Sequence, residues 1–234
     1  GDIHDNRTVI YCRCIFHCDF GDIMRFAFLI PIGDHLSAKL VPQLLALHDY
    51  ANQVDAQIIT IANRTHVDAR NYLATAGGGF VNPENLVNKC EWLVWFDADQ
   101  VYNMGQVKTL LDRPEKFTSG WYIKDSAGQR NPQAMVAHWD EEYFQKHGSM
   151  KFLHENELIG KRDPIEVDYV GFGFCKIHSS IFKEMEYPYF RQNLTQVGQY
   201  QDNSSEDVSF CLDAYKQTGV KPLVIPQLRI GHLK

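Results

Sequence analysis

Residues 92–99 read Trp-Leu-Val-Trp-Phe-Asp-Ala-Asp: five apolar residues, then two aspartates separated by one small residue. The apolar run predicts a strand buried on both faces, as in the parallel sheets of α/β proteins. Ligands of open α/β sheets bind just beyond the carboxyl ends of such strands, where Asp97 and Asp99 would lie. Two carboxylates at this spacing suit Mg²⁺ or Mn²⁺, which combine a few carboxylates with substrate phosphate oxygens. The alternative is a surface turn with two solvated aspartates, because Asp-x-Asp alone is common.

Strands and helices alternate on either side of this segment. We predict strands over 25–32, 56–61 and 116–123, helices over 34–53, 66–76, 83–89 and 104–111, and a polar loop over 124–133. The β-α-β-α-β order predicts an α/β fold in which helices flank a mostly parallel central sheet.

Composition limits the classes of protein to consider. A chain of 234 residues can form one substantial core, so a single main domain is expected. The net charge of −6 argues against binding to nucleic acid or to an anionic membrane surface. No apolar run approaches ~20 residues, so no transmembrane segment is expected, and no secretory signal pattern is present.

The cysteines fall into two groups. Cys90, Cys175 and Cys211 have apolar neighbours and are predicted to be buried free thiols. Three more crowd with a histidine into the first 23 residues, at a spacing that fits no standard zinc pattern: Cys12, Cys14, His17 and Cys18. We therefore divide the chain into an N-terminal extension of unknown role, 1–23, and a main domain, 24–234.

Four Asn-x-Ser/Thr triplets bear on the cellular compartment; they begin at Asn6, Asn63, Asn193 and Asn203. Two of them adjoin segments assigned below to the active site, where glycans would obstruct it. Together with the unpaired thiols and the missing signal, this favours a reducing, cytoplasmic setting.

Acids also begin a predicted helix late in the chain. Ser204 or Ser205 can cap a helix that ends at Gly219, which places Glu206 and Asp207 in its first turn. Acids there are often present only to complement the helix dipole. The functional interpretation makes Asp207 a general base and Glu206 a group that holds an acceptor hydroxyl.

Two weaker signals complete the pattern. Gly171 and Gly173 flank Phe172 just before a predicted strand, so the backbone could approach a ligand closely, although a simple bulge is the alternative. His232 follows the apolar strand at 222–225. It could add an imidazole to the two aspartates, although a late histidine is more often a surface residue.

The order of these features resembles that of nucleotide-sugar glycosyltransferases of the GT-A (Rossmann-like) fold, nearest to the inverting family 2 and its relatives. It runs from an apolar strand ending in Pro through an Arg-Asn helix, the Asp-x-Asp strand, Gly-x-Gly and a Glu-Asp helix to a late Gly-His. The resemblance covers about residues 24–234. Within this group, the sequence is similar to chlorovirus-type capsid glycosyltransferases.

The resemblance implies donor-binding positions in the first half of the chain. It assigns Pro31 and Ile32 to the nucleoside pocket, and Asn63 and Arg64 to the uridine ribose and base. Arg70 and Asn71 match a helix pair near the base and diphosphate.

Further positions follow around the Asp-x-Asp motif. Asp97, Ala98 and Asp99 would bind the donor, and Gly171 and Gly173 would lie under its sugar. Trp121 could stack on a sugar. Asp97, Asp99 and His232 would hold Mn²⁺ or Mg²⁺. Asp207 matches the catalytic base, with Glu206 beside it.

The implied reaction moves a sugar from a nucleoside-diphosphate sugar, expected to be a UDP-sugar, to a hydroxyl of a glycan or glycoprotein acceptor with inversion. A retaining enzyme on the same scaffold and a non-catalytic carbohydrate-binding domain remain alternatives. The chain could also be one part of a longer multidomain protein.

Other enzyme classes fit less well. A sugar nucleotidyltransferase needs a Gly-rich, Arg-bearing loop after the first strand, and residues 32–36 supply neither feature. An Asp-x-Asp phosphatase usually places its motif after the first strand, followed by Thr or Val, whereas Gln100 follows here. Val101 occupies the third ligand position of a helical calcium loop, which excludes that site.

Overall fold

The first three long strands of the protein are apolar runs that pair in parallel, with helices in the connections between them. The computed structural model describes residues 24–33, 36–76, 86–123, 130–198 and 200–233. The extension 1–23 with its three cysteines, the glycines at 77–79, the start of the predicted 83–89 helix and most of the 124–133 loop lie outside these residues.

The strands are β1 (Met24–Ile32), β2 (Ala56–Ala62), β3 (Cys90–Phe96), β4 (Gln100–Val101), β5 (Phe117–Trp121), β6 (Gln133–His138), β7 (Lys151–His154), β8 (Ile165–Glu166), β9 (Tyr169–Val170), β10 (Phe174–His178), β11 (Leu194–Val197), β12 (Tyr200–Asn203), β13 (Leu223–Arg229) and β14 (Gly231–His232). The helices are α1 (Val41–Ala51), preceded by a 3₁₀ turn at Ala38–Leu40, α2 (His66–Thr75), α3 (Leu86–Lys89), α4 (Met104–Leu111), α5 (Glu141–His147), α6 (Glu155–Leu158), α7 (Ser179–Glu184) and α8 (Glu206–Thr218).

The fold is mixed α/β, and its central sheet has seven strands in the order β2-β1-β3-β10-β5-β13-β8. The prediction of a mostly parallel sheet is wrong for strand pairing, because three neighbouring pairs are parallel and three are antiparallel. Two of the antiparallel pairs arise from β10, which enters the middle of the sheet from the second half of the chain and runs opposite to both of its neighbours. The third joins β13 to the edge strand β8.

Smaller sheets lie beside the central one. They have the orders β7-β6-β9, β11-β12 and β14-β4. The last pair matters most for the site, because β14 brings the end of the chain back to the segment that follows β3.

The prediction that β3 is buried on both faces is confirmed, because residues 93–96 have no exposed surface. On one face, Leu93 and Trp95 pack in a cluster that contains buried residues of α2, α7 and α8. On the other face, Val94 and Phe96 pack with residues of α1 and α4. A strand covered on both sides is held rigidly, so the residues just beyond it are well positioned.

Several predicted elements agree closely with the structure. The 104–111 helix is α4 with the same bounds, and Gly219 ends α8 with a left-handed φ of 72°. The predicted 34–53 helix begins later, as α1 at Val41. The expected free, buried thiols of Cys90, Cys175 and Cys211 are confirmed. Among the described residues, no helix is both long and apolar enough to cross a membrane.

Candidate functional site

The Asp-Ala-Asp segment lies where β3 leaves the sheet, and the segment before β10 is bonded to it. The Asp97 backbone N–H donates a hydrogen bond to the Gly173 carbonyl at 3.1 Å. Because β10 is antiparallel to β3, its amino end lies at the carboxyl end of β3, with Phe174 opposite Phe96. The antiparallel strand therefore places the Gly-x-Gly segment beside the aspartates.

A buried arginine joins this segment to two distant parts of the chain. Arg70 of α2 is 2% exposed, and its Nη2 lies 3.1 and 3.2 Å from the two carboxylate oxygens of Asp97. Its Nε donates to Glu206 Oε1 at 3.2 Å. The guanidinium also lies over the rings of Trp95 and Phe172, at 5.5 and 5.1 Å from their centroids. Arg70 thus connects α2, the end of β3 and the start of α8.

The ionisation of this cluster follows from burial and charge. Burial lowers the pKa of Arg70, but the carboxylates of Asp97 and Glu206 together raise it by more, so the net shift is upward. Burial raises the pKa of Asp97, and the Arg70 charge opposes that rise. Arg70 is therefore a permanent cation that limits the rise in the pKa of Asp97, which stays above its ordinary value.

The end of the chain returns to the second aspartate. β14 is antiparallel to β4, with His232 opposite Gln100, and the Leu233 N–H donates to the Asp99 carbonyl at 2.7 Å. This pairing places His232 Nε2 3.0 Å from Asp99 Oδ2. The side chains are 20% and 55% exposed, so the pair opens toward solvent.

The Asp99–His232 pair has the ligand chemistry for a divalent cation. The 3.0 Å contact between His232 Nε2 and Asp99 Oδ2 is a hydrogen bond, which a cation bound to both atoms would have to replace. His232 Nδ1 and Gln100 Oε1 are buried without a hydrogen-bond partner among the described residues. Within the residues that the structure describes, no group of three or more His, Cys, Asp or Glu side chains could hold a metal ion. Carboxylate and imidazole are ligand types that suit Mn²⁺, and the role of Asp99 and His232 as metal ligands stays a prediction.

Asp97 differs from Asp99 in this respect. Both of its oxygens lie on Arg70, so coordination of a cation by Asp97 would have to compete with that ion pair. Its role as a metal ligand stays a prediction.

The acids that begin α8 lie against the same cluster. Glu206 is bonded to Arg70, and Asp207 contributes to the electrostatic environment of Arg70 and of Tyr122. Asp207 Oδ2 accepts a hydrogen bond from the Tyr169 hydroxyl at 2.9 Å. The structure therefore brings both carboxylates of the predicted base segment to the Asp-Ala-Asp edge of the sheet.

The two glycines are explained by packing inside the site. A Cβ at Gly171 would lie 2.3 Å from the Tyr122 hydroxyl oxygen, and one at Gly173 would lie 2.8 Å from the side-chain amide of Gln100. The close approach that these glycines permit is thus to Tyr122 and Gln100. Contact with a donor sugar stays a prediction.

Four predicted donor-binding residues lie at the same edge but outside this cluster. Pro31 and Ile32 end β1 opposite Ile61 and Ala62 of β2. Asn63 follows with a left-handed φ of 58°, a conformation that asparagine tolerates well. Arg64 bonds to Asp68 at 2.7 Å and lies over the Tyr72 ring. Because β1, β2 and β3 are parallel, these residues and Asp97 lie at the same edge of the sheet, where the carboxyl ends of the three strands meet.

Two predicted ligand residues have structural contacts instead. The Asn71 side chain accepts from the Phe190 N–H and donates to the carbonyls of Phe190 and Val67, so its amide is engaged with backbone. Trp121 has no exposed surface, and its indole N–H donates to the Pro226 carbonyl at 2.9 Å. A buried indole cannot stack on a sugar, so the interpretation of Trp121 as a sugar-stacking residue is wrong for this structure. Ala98 packs at the edge of the apolar cluster.

Tyr122, Tyr169 and Gln100 are site residues that the sequence did not indicate. Burial, and then the carboxylates of Asp97 and Asp207, raise the pKa of Tyr122 well above its ordinary value. The Tyr122 ring also lies 5.5 Å from the His232 ring. Tyr122 directly follows Trp121, Tyr169 precedes Val170-Gly171, and Gln100 follows Asp99. These positions beside predicted site residues were a signal, but tyrosine and glutamine at strand ends are too common to single out.

Comparison with known proteins adds little to this geometry. No family model matches the sequence, and no curated protein matches it. Among solved structures, the chain is similar to the crystal structure of A197 from STIV, with 15% sequence identity, a TM-score of 0.48, and coverage of 90% of this chain and 95% of that chain. A similarity at this level carries no inference about activity.

Proposed function

We propose that residues 24–234 form one catalytic domain that transfers a sugar from a nucleoside-diphosphate sugar to an acceptor hydroxyl. The observation that carries the proposal is the Arg70 cluster, in which Asp97 after β3 and Glu206 at the start of α8 both pair with the buried guanidinium of Arg70. Asp99, two residues after Asp97, pairs with His232, and we propose these two side chains as metal ligands. Asp207 adds a carboxylate suited to general-base catalysis.

The charge of the cluster supports dependence on a divalent cation. Three carboxyl groups, those of Asp97, Glu206 and Asp207, act on Arg70, and that of Asp99 acts on Asp97. A diphosphate approaching this edge would meet a surplus of negative charge unless a cation lay between them. Asp99 and His232 would hold Mn²⁺ or Mg²⁺, which would supply Lewis-acid stabilisation of the departing diphosphate.

Asp207 is the proposed base. The acceptor hydroxyl oxygen forms a bond to the anomeric carbon, while the bond from that carbon to the diphosphate oxygen breaks and the diphosphate leaves with the electron pair. The hydroxyl proton moves to the Asp207 carboxylate. Attack opposite the leaving group inverts the anomeric centre, and we propose this course over a retaining one because a carboxylate is available as base.

We propose a UDP-sugar as donor and a glycan or glycoprotein as acceptor, on the resemblance described for the sequence. The nucleoside would lie along Pro31, Ile32, Asn63 and Arg64, which share the sheet edge with the aspartates. The carbonyl and amide groups at these strand ends can bind a base and ribose.

A thermal-shift panel tests donor binding. UDP-glucose, UDP-galactose, GDP-mannose and dTDP-glucose are each added with and without Mn²⁺. Binding at 100 times the dissociation constant adds about 2.7 kcal/mol, or roughly 5–10 °C for a domain of this size. We expect such a shift with one donor, only with the cation present.

Variants separate the two carboxylate roles. Asp99→Asn should abolish the cation-dependent shift, whereas Asp207→Asn should keep it and lose release of the nucleoside diphosphate. Asp49→Asn is the matched control, because Asp49 lies on α1 with its side chain 80% exposed. Sugar binding without turnover of any donor would favour a non-catalytic carbohydrate-binding domain and refute the enzyme proposal.

A further inference from the structure

Tyr169 is a buried side chain that contacts the proposed base directly. It lies in β9, is 1% exposed, and pairs through its backbone with Ala137 of β6. Its ring packs edge to face on Phe152, with centroids 6.0 Å apart. The hydroxyl donates to Asp207 Oδ2 at 2.9 Å. The β7-β6-β9 sheet therefore holds this hydroxyl in a fixed direction against the base.

The other contacts of Asp207 are made by its Oδ1 atom. Oδ1 accepts from the Ser205 hydroxyl and from the Val208 N–H, the latter at 2.9 Å. A carboxylate has about four acceptor positions. These three bonds, all within the described part of the chain, leave one position, and it belongs to Oδ2. Oδ2 is therefore the oxygen with capacity to take a proton.

We infer that Tyr169 is a positioning residue that, through its hydrogen bond to Asp207, directs the remaining acceptor position of Oδ2 toward the acceptor hydroxyl. The inference rests on the proposed function. In the transfer step, the hydroxyl proton moves to Oδ2 as its oxygen bonds to the anomeric carbon, and the diphosphate leaves with the electrons of the broken bond. Tyr169 neither gains nor loses a proton.

The surroundings of Tyr169 keep its proton in place. Burial, followed by the charge of Asp207, raises the pKa of the Tyr169 hydroxyl well above its ordinary value. The hydroxyl therefore donates throughout the neutral range, and its direction is fixed because Oδ2 is its acceptor. This permanence suits a group that orients a base without reacting itself.

Tyr169→Phe tests the inference, because phenylalanine keeps the ring packing and removes only the hydroxyl. The control is Tyr50→Phe. Tyr50 lies on α1 beside Arg25 and Phe26, at the amino end of β1 and away from the site. Each protein is given the nucleotide sugar that stabilises the wild type most, with Mn²⁺, and release of the nucleoside diphosphate is measured with water as acceptor.

We expect kcat of Tyr169→Phe to fall by about 10- to 100-fold, the effect of losing one hydrogen bond to a charged group, with KM and donor-induced thermal shift unchanged. A parallel assay replaces water by azide, which attacks without a proton to remove. Azide turnover should equal that of the wild type, because base positioning no longer matters. Tyr50→Phe should behave as the wild type in both assays.

The outcomes separate the inference from the proposed function. An unchanged kcat in Tyr169→Phe, or an equal fall with water and azide, overturns the positioning role while the transferase proposal stands. A wild type that binds no nucleotide sugar, or binds one without turnover, overturns both.

Discussion

Replacing Arg70 by methionine should destabilise the protein strongly, because it would leave the carboxylates of Asp97 and Glu206 without their cation. Their side chains are 21% and 12% exposed, so water would compensate only in part. Removing one partner of a buried ion pair costs about 3–5 kcal/mol. For a domain of this size, that corresponds to a fall in melting temperature of about 6–20 °C.

Arg64→Met is a matched control. Arg64 also pairs with an aspartate of α2, at 2.7 Å, but the two side chains are 24% and 53% exposed. Exposed pairs of this spacing contribute about 0.3–0.5 kcal/mol. Chemical denaturation of both variants at pH 7 should therefore separate them by several kcal/mol. A loss of unfolding free energy below about 1 kcal/mol in Arg70→Met would refute the idea that Arg70 compensates buried charge.

The pH dependence gives a second check of the same reasoning. Burial raises the pKa of Asp97, so the folded protein holds this proton more tightly than the unfolded chain does, and stability from this group increases as pH falls. Arg70 opposes that rise, so its loss should enlarge the effect. The loss of unfolding free energy in Arg70→Met, relative to the wild type, should therefore be smaller at pH 5 than at pH 7.5. A loss that is constant over this range would contradict the electrostatic explanation.

Three further predictions follow from single contacts. Gly171→Ala should cost about 1–3 kcal/mol in denaturant unfolding, because its Cβ would meet the Tyr122 hydroxyl. Gly33→Ala should be near neutral, because no atom of the described residues lies within 4 Å of its Cβ. Burial lowers the pKa of Lys176 to about 8, so the wild type should gain stability relative to Lys176→Met between pH 8 and 10, and a flat difference would contradict this shift. His232→Gln should weaken Mn²⁺-dependent donor binding, measured by calorimetry, and unchanged affinity would exclude it as a ligand.

Local pattern predicted the elements near the site but not how distant parts meet. The apolar run before Asp97 and the helix starting at Glu206 were both visible because each signal lies within a few residues. The antiparallel direction of β10 was not, since nothing in 174–178 specifies which neighbours it pairs with. Strand pairing across such separations depends on the packing of the whole domain.

Residue types with two common roles were the other source of error. An aromatic residue at a strand end can stack on a ligand or fill the core, and Trp121 is fully buried with its N–H bonded. The Asn71 side chain likewise bonds to backbone, and its contact with a donor stays a prediction. Sequence alone does not separate these roles, because side-chain chemistry is the same in both and only burial differs.

Arg70 and Tyr169 should fail in different ways because they connect different parts of the molecule. Arg70 joins groups that are 27 and 136 positions away in the chain, so its loss should reduce stability and donor binding together. Tyr169 contacts the base from a separate sheet, and its ring packing would survive removal of the hydroxyl. A variant that lowers turnover without lowering stability therefore points to the orientation of the base, whereas loss of both points to the Arg70 cluster. Similar losses in both variants would mean that the two contacts act as one unit, contrary to the separation argued here.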